Sequence, residues 1–233
     1  MTQAARLHRR SEAFWGRRKT RGLSARKTDL TETLLPRLRI DPAEIGDDPR
    51  ALFARNVRAV HLEIGFGGGE HLLHRVVNEP EIGFIGVEPF VNGMAQMLAQ
   101  ADGMDLSNLR VFDEDAVELL DVLPAASMER VDLLYPDPWP KRRHWKRRFV
   151  GERNVARIAR VVGSRGEFRF ASDIPSYVDW TLHHFRREPS FRWTAARSGD
   201  WLEPWDGWIR TRYEAKAIRE GRRPTYLRFR RFT

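Results

Sequence analysis

The 233-residue chain contains no cysteine, which excludes a disulfide framework, a thiolate zinc site and a cysteine nucleophile together. Long apolar runs are also missing, and no stretch approaches the ~18 residues that a membrane span requires. The basic start, Arg6 to Lys27, has no apolar segment behind it and does not read as a secretory signal. A cytoplasmic protein with no membrane partner is expected. Lysine is scarce: Lys19, Lys27, Lys141, Lys146 and Lys216 are the only lysines among 41 Lys and Arg residues. Arginine forks onto phosphate and stacks on bases, whereas lysine acts as a point charge. His61, His71, His74, His183 and His184 lack a ligand spacing supported by a carboxylate, so no metal is expected.

What is present is an excess of positive charge, +9 overall, which points to a polyanionic partner. Its distribution says more than its sum. Residues 1–27 hold nine bases and one acid, residues 28–140 eight bases and twenty-one acids, and residues 141–233 twenty-four bases and ten acids. An acidic middle between two basic flanks assigns different partners to different surfaces. By length and composition the chain is one domain with an appendage. We expect a flexible basic N-terminal arm and lead-in over residues 1–50 and a single domain over residues 51–233.

Strand and helix patterns alternate through residues 59–187. Strands are expected at Ala59–Ile64, Phe84–Glu88, Leu109–Phe112, Val131–Tyr135 and Glu167–Ala171. Helices are expected at Glu70–Val77, Val91–Ala101, Ala116–Leu120, Glu152–Val162 and Pro175–Arg187, with a short one near Asp48–Asn56. Such alternation predicts a mostly parallel sheet covered by helices on both faces. Phe191–Ala195 and Tyr226–Phe232 read as late strands around a helix at Thr211–Glu220, closing the sheet antiparallel. Trp201, Trp205 and Trp208 are expected to pack over the core, and Met94 and Met97 within it.

The first strand runs into Glu63-Ile64-Gly65-Phe66-Gly67-Gly68-Gly69. Glycines at the start of a helix allow a tight turn and close approach of a ligand. The dinucleotide fingerprint would need a third glycine at position 70, which is Glu70. An acid ahead of the turn suits a cationic ligand, such as a sulfonium, better than a pyrophosphate. Glu88 ends the second strand, where it can accept from ribose hydroxyls. Asp115 follows the third, where it can take an adenine amino group. Together these acids predict an S-adenosylmethionine site built from Glu63, Gly65, Gly67, Glu88 and Asp115.

The fourth strand leads into Tyr135-Pro136-Asp137-Pro138-Trp139-Pro140, followed by Lys141-Arg142-Arg143-His144-Trp145-Lys146-Arg147-Arg148. Two prolines hold Asp137 at the sheet edge, Trp139 offers a flat face for a base, and the cations behind can grip phosphates. Carboxylate, aromatic and cations so close together fit a nucleobase presented by a nucleic acid. His144 is read as a phosphate or stacking contact rather than a catalytic base.

These segments, with Asp115-Ala116-Val117-Glu118 and Thr211-Arg212-Tyr213-Glu214, resemble the bacterial tRNA (guanine-N7)-methyltransferase family over roughly residues 55–231. Pro140, Trp145 and Gly68 are minor departures. The resemblance implies a Rossmann-like class I methyltransferase fold with a seven-stranded, mostly parallel sheet and an antiparallel final strand. It implies S-adenosyl-L-methionine as methyl donor on Glu63, Glu88, Asp115 and Asp137, the last also catalytic. It further implies substrate contacts from Lys141, Asp173, Thr211, Arg212, Tyr213 and Glu214, and RNA contacts from Arg143, His144, Trp145, Lys146, Arg147 and Arg148.

The expected reaction is methyl transfer to N7 of a guanine in the variable loop of tRNA. N7 carries an unprotonated lone pair, so alignment matters more than proton removal, and Asp137 is expected to orient and to stabilise charge. The competing readings are a methyltransferase acting on DNA or a small amine, and an RNA-binding protein on the same fold without catalysis. Monomer and homodimer are equally compatible with the sequence.

Overall fold

A computed structural model describes residues 15, 16, 18–20 and 22–232. Residues 1–14, 17 and 21, all within the expected arm and lead-in, lie outside the described residues, as does residue 233. The centre is a seven-stranded sheet in the order β3-β2-β1-β4-β5-β7-β6. Its strands are β1 (Ala59–Ile64), β2 (Ile82–Val87), β3 (Leu109–Phe112), β4 (Met128–Leu134), β5 (Val162–Ser172), β6 (Phe191–Trp193) and β7 (Thr225–Arg231). β1 to β5 pair in parallel, and β7 runs antiparallel to both β5 and β6.

The inner strands read as continuous apolar runs because helices bury both faces. Those helices are α3 (Glu70–Asn78), α4 (Val91–Ala101), α5 (Ala116–Val122), α6 (Glu152–Val161) and α7 (Pro175–Arg186). One core cluster joins Leu62, Val87, Leu120, Val131, Ile158 and Phe170, and another joins Leu72, Val76, Phe84, Met97 and Leu98. Phe185 stacks between Phe168 and Phe229 at centroid distances of 4.5 and 4.3 Å, fixing α7 to β5 and β7. Strand order reverses between β1 and β4, so the crevice at their carboxyl ends is the place where an open sheet receives a ligand.

Three expectations change. β5 begins at Val162 rather than Glu167, because Met128 pairs with Val162 across an irregularity in β4. The helix expected near Asp48–Asn56 is a single 3₁₀ turn, Pro49–Leu52, opened by the Asp48 carboxylate on the Arg50 amide at 3.0 Å. The larger difference concerns residues 25–40, expected as lead-in. They form α1 (Ala25–Thr33) and α2 (Leu35–Leu38), whose Leu30, Leu35 and Leu38 are buried in the Leu72–Met97 cluster.

Beyond α2, Ile40 donates its amide to the Val111 carbonyl at 2.8 Å, extending the sheet past β3. A covered edge strand cannot recruit foreign strands. Among the described residues no helix is long and apolar enough to cross a membrane. If residues 25–40 belong to the core, Leu38→Ala should cost about 2–4 kcal/mol, as a buried leucine truncation does. Urea unfolding measures it, and a loss within about 0.5 kcal/mol would return this segment to a loose lead-in.

Candidate active site at the carboxyl edge of the sheet

The turn from β1 into α3 is built on glycine for steric reasons. Gly65, Gly67 and Gly69 all have positive φ, at 72°, 61° and 83°. A Cβ on Gly69 would lie 2.3 Å from Met97 Cγ, so α4 packs directly on the turn. Above Gly65 nothing lies within 4 Å of where a Cβ would stand, which leaves open space at the switch point.

Glu88, just past β2, reaches across to this turn. Its carboxylate accepts the Gly67 amide at 2.7 Å and the Phe90 amide at 2.9 Å. Burial still dominates, and with the nearby Asp137 charge it pushes the carboxyl up to about 7 against those two amides. Glu63, on β1, is also buried, and its carboxylate meets Nδ1 of His71 at 2.8 Å. Burial of that imidazole opposes its charge, but the charge and hydrogen bond of Glu63, with Asp132 behind, raise its pKa overall. Asp115 caps α5 by accepting the Val117 amide at 3.0 Å.

Asp137 stands on the loop after β4, exposed towards the crevice. Partial desolvation by the surrounding loop raises its pKa above the ordinary aspartate value. The loop is strained on both sides, with Tyr135 at φ 49° and Trp139 at φ 42°, a conformation that costs energy and clusters at functional sites. It is held by the Tyr135 amide on the Ala171 carbonyl at 2.8 Å and by Arg148.

Arg148 corrects an expectation. It was grouped with the RNA contacts, but it is buried. Its Nε donates to the Pro138 carbonyl at 3.0 Å, and its two terminal nitrogens donate to Ser176 at 2.7 and 3.0 Å. Its guanidinium also lies over the rings of Trp145 and Tyr177, at 4.6 and 4.7 Å from their centroids. Arg148 therefore ties the Asp137 loop to α7 and does not face solvent. Lys141, Arg143 and Lys146 are exposed on the 3₁₀ turn Arg142–Arg147 and its flank, while His144 and Trp145 are half-buried.

The Thr211–Glu214 tetrad divides. It opens α8 (Arg212–Arg219), with the Thr211 hydroxyl accepting the Glu214 amide at 3.2 Å. Glu214 is buried and accepts Nε1 of Trp208 at 2.7 Å and the hydroxyl of Tyr226. Tyr213 and Arg212 turn the other way, over the glycine turn: a Cβ on Gly67 would meet Tyr213 Cε2 at 3.2 Å. Asp173 is held by Arg222 Nε at 2.5 Å. Trp205 and Trp208 pack with Leu134, Ala171 and Tyr226, and Trp201 against the main core.

Sequence reasoning missed His71, Trp208 and Arg222. The rings of His71 and Trp208 lie 5.1 Å apart, so Glu63 and Glu214 share one polar seam behind the crevice. The signal for His71 was a histidine on the buried face of α3, eight residues past an acid that needed a partner.

Residues 57–227 match the family model described as "Putative methyltransferase". The chain is 56% identical over 224 residues to a tRNA (guanine-N(7)-)-methyltransferase of Rhizobium meliloti (strain 1021), covering 96% of this chain and 97% of that protein. A protein of the same name from Brucella anthropi is 56% identical over 232 residues, covering 98% and 99% of the two chains. Among solved structures, the 16S rRNA methyltransferase KamB superposes with a TM-score of 0.56 at 15% identity, over 82% of this chain and 95% of that one, a likeness of fold.

The raised carboxyl of Glu88 makes stability depend on pH. Folding lifts it from 4.5 to about 7, so its contribution is fully present below 4.5 and is lost as pH rises through 7. Relative to Glu88→Gln, the wild-type protein should lose about 1–3 kcal/mol between pH 4.5 and pH 8. Denaturant midpoints of both proteins at the two pH values measure this. Parallel pH profiles would show that Glu88 is not carrying the proton.

Proposed function

The chain belongs to the tRNA (guanine-N(7)-)-methyltransferase family, and we propose from that membership that its edge acids hold the methyl donor while Asp137 serves the transfer. It is an S-adenosylmethionine-dependent enzyme that methylates N7 of guanine in tRNA. We place the target guanine in the variable loop and the enzyme in the cytoplasm.

The crevice fits the donor. The open space above Gly65 admits a ligand against the backbone, and four acids at one edge complement a sulfonium. When bound, S-adenosylmethionine supplies a methyl group on positively charged sulfur, and its transfer to the N7 lone pair leaves the positive charge on the purine. Glu88 accepts from the ribose hydroxyls, and Asp115 from the adenine amino group. Glu63, steadied by His71, faces the cationic end of the crevice, and the turn at Gly65 and Gly67 lets the donor lie against the main chain.

Asp137 acts on the charge that moves. Guanine N7 has no proton to remove, so the carboxylate orients the base and stabilises positive charge as it develops there. Lys141, Asp173, Arg212 and Tyr213 line the substrate side, with Thr211 and Glu214 fixing the last two in place. The exposed Arg143 and Lys146, with His144 and Trp145 between them, meet the RNA backbone. The observation that carries this reading is the meeting of Glu88 and Asp137: the acid after β2 and the acid of the strained, proline-flanked loop share one crevice, close enough for the Asp137 charge to reach Glu88.

The test is transfer of labelled methyl from the donor to unmodified tRNA, followed by mapping of the modified base. Asp137→Ala should lower kcat/KM by about 10²–10³, the scale of lost transition-state electrostatics. Wild-type activity should fall on acidification with a midpoint above 3.8, the ordinary aspartate value, and Asp137→Asn should lose that limb. Full activity in Asp137→Ala would refute its role. Neutralising Arg143 and Lys146 together should reduce the salt slope of tRNA binding by about two, one for each phosphate contact, and leave folding unchanged. Arg148→Ala should instead lower the melting temperature.

A further inference from the structure

Arg147 is the one member of the basic stretch whose place neither an RNA-facing nor a tethering role explains. Its guanidinium lies 4.9 Å from the ring centroid of Trp139 and 4.9 Å from that of Trp15. Its Nε is buried without a hydrogen-bond partner, an arrangement that is costly unless something compensates. Among the described residues no carboxylate lies within ion-pair distance of it. A planar cation thus sits against two indoles with a polar edge unsatisfied, beside the loop that carries Asp137.

Trp15 is brought there by a strap. The Arg18 carbonyl accepts the Val91 amide at 2.8 Å at the start of α4, and Arg18 pairs with Glu114 at 2.6 Å. The Thr20 amide donates to Asn92 Oδ1 at 3.0 Å. Trp15, Arg18 and Thr20 therefore join the β4 loop on one bank of the crevice to the loops after β2 and β3 on the other. Glu88 and Asp115 lie on that far bank, and Asp137 on the near one. Trp15 also lies outside residues 57–227, the span matched by the family model.

We infer that Trp15 and Trp139 form a two-sided aromatic clasp for the purine that is methylated, and that Arg147 occupies the clasp until the base enters. This rests on the reading of the site as a guanine-N7 methyltransferase. The chemistry of the occupant supports it, because a guanidinium is flat, cationic and donor-edged, as the five-membered ring of an N7-methylated purine is flat and cationic. Neutral guanine gains stacking from two indoles. Once the methyl group is transferred the purine is a cation, and the same ring faces then attract its charge. The clasp thus favours the charge distribution of the transition state over that of the substrate. When displaced, Arg147 swings towards the phosphates beside Arg143 and Lys146.

The experiment uses the full chain and two free nucleotides, GMP and 7-methyl-GMP, titrated calorimetrically, beside steady-state transfer to tRNA. Wild-type protein should bind 7-methyl-GMP about fivefold or more tightly than GMP, a cation–π preference of ordinary size. Trp15→Ala should reduce that ratio to below about twofold and cut kcat/KM for tRNA about ten- to a hundredfold, with the affinity for S-adenosylhomocysteine unchanged. Trp15→Phe should restore part of both, and Arg147→Ala should tighten both free nucleotides. Equal binding of the two nucleotides by wild type would overturn the clasp. So would wild-type transfer by Trp15→Ala, or a loss of S-adenosylhomocysteine affinity that matches its loss of activity, since the strap would then serve the donor alone. Failure of the wild-type protein to modify guanine N7 would sink the functional reading instead, and the nucleotide titrations would still report on the clasp.

Discussion

Four carboxylates converge on one sheet edge, and the architecture around them is organised by the cost of placing negative charge there. Desolvating an unpaired carboxylate is expensive, and each acid meets the cost differently. Glu63 is opposed by the raised imidazole of His71. Glu88 takes two backbone amides and still holds its proton near neutrality. Asp115 spends one oxygen as the cap of α5, and Asp137 stays at the surface of a strained loop. On the proposed reading the donor cation completes this edge, which draws the glycine turn, the loop strain and the far-bank acids into one account.

The arginine excess divides along the same line. Some arginines are structural: Arg148 locks the Asp137 loop to α7, and Arg75 reaches under β1 to Asp132 at 3.2 Å and to the His61 ring at 3.0 Å. Others, including Arg143, stand in solvent beside the site. The net charge of the chain therefore overstates the surface available to RNA, and the six cations following Pro140 are not six equivalent phosphate contacts.

Much of this was legible in the sequence. The inner strands are short apolar runs because both faces are covered, and Glu63, Glu88 and Asp115 each end or follow one, so the carboxyl edge could be drawn before any coordinates. The Pro-Asp-Pro-Trp segment declared a fixed carboxylate in the same way. Residues 25–40 were not legible, because Pro36 and the interspersed bases break the apolar period, and only packing against α4 reveals Leu30 and Leu35 as core. The inward turn of Glu214 and of Arg148 also depends on partners distant in sequence, Tyr226 and Ser176 among them. Trp15 has no local pattern at all; its meaning comes from Arg147, which is distant in the chain but lies against its ring.

The central claim is that the edge is short of one positive charge until the donor arrives. Proton release on donor binding tests it most directly, measured by calorimetry at pH 7 in buffers of different ionisation enthalpy. With Glu88 at about 7 in the free protein, binding of S-adenosylmethionine should release about half a proton, and Glu88→Gln should release almost none. Donor binding with no proton released by the wild-type protein would contradict the account.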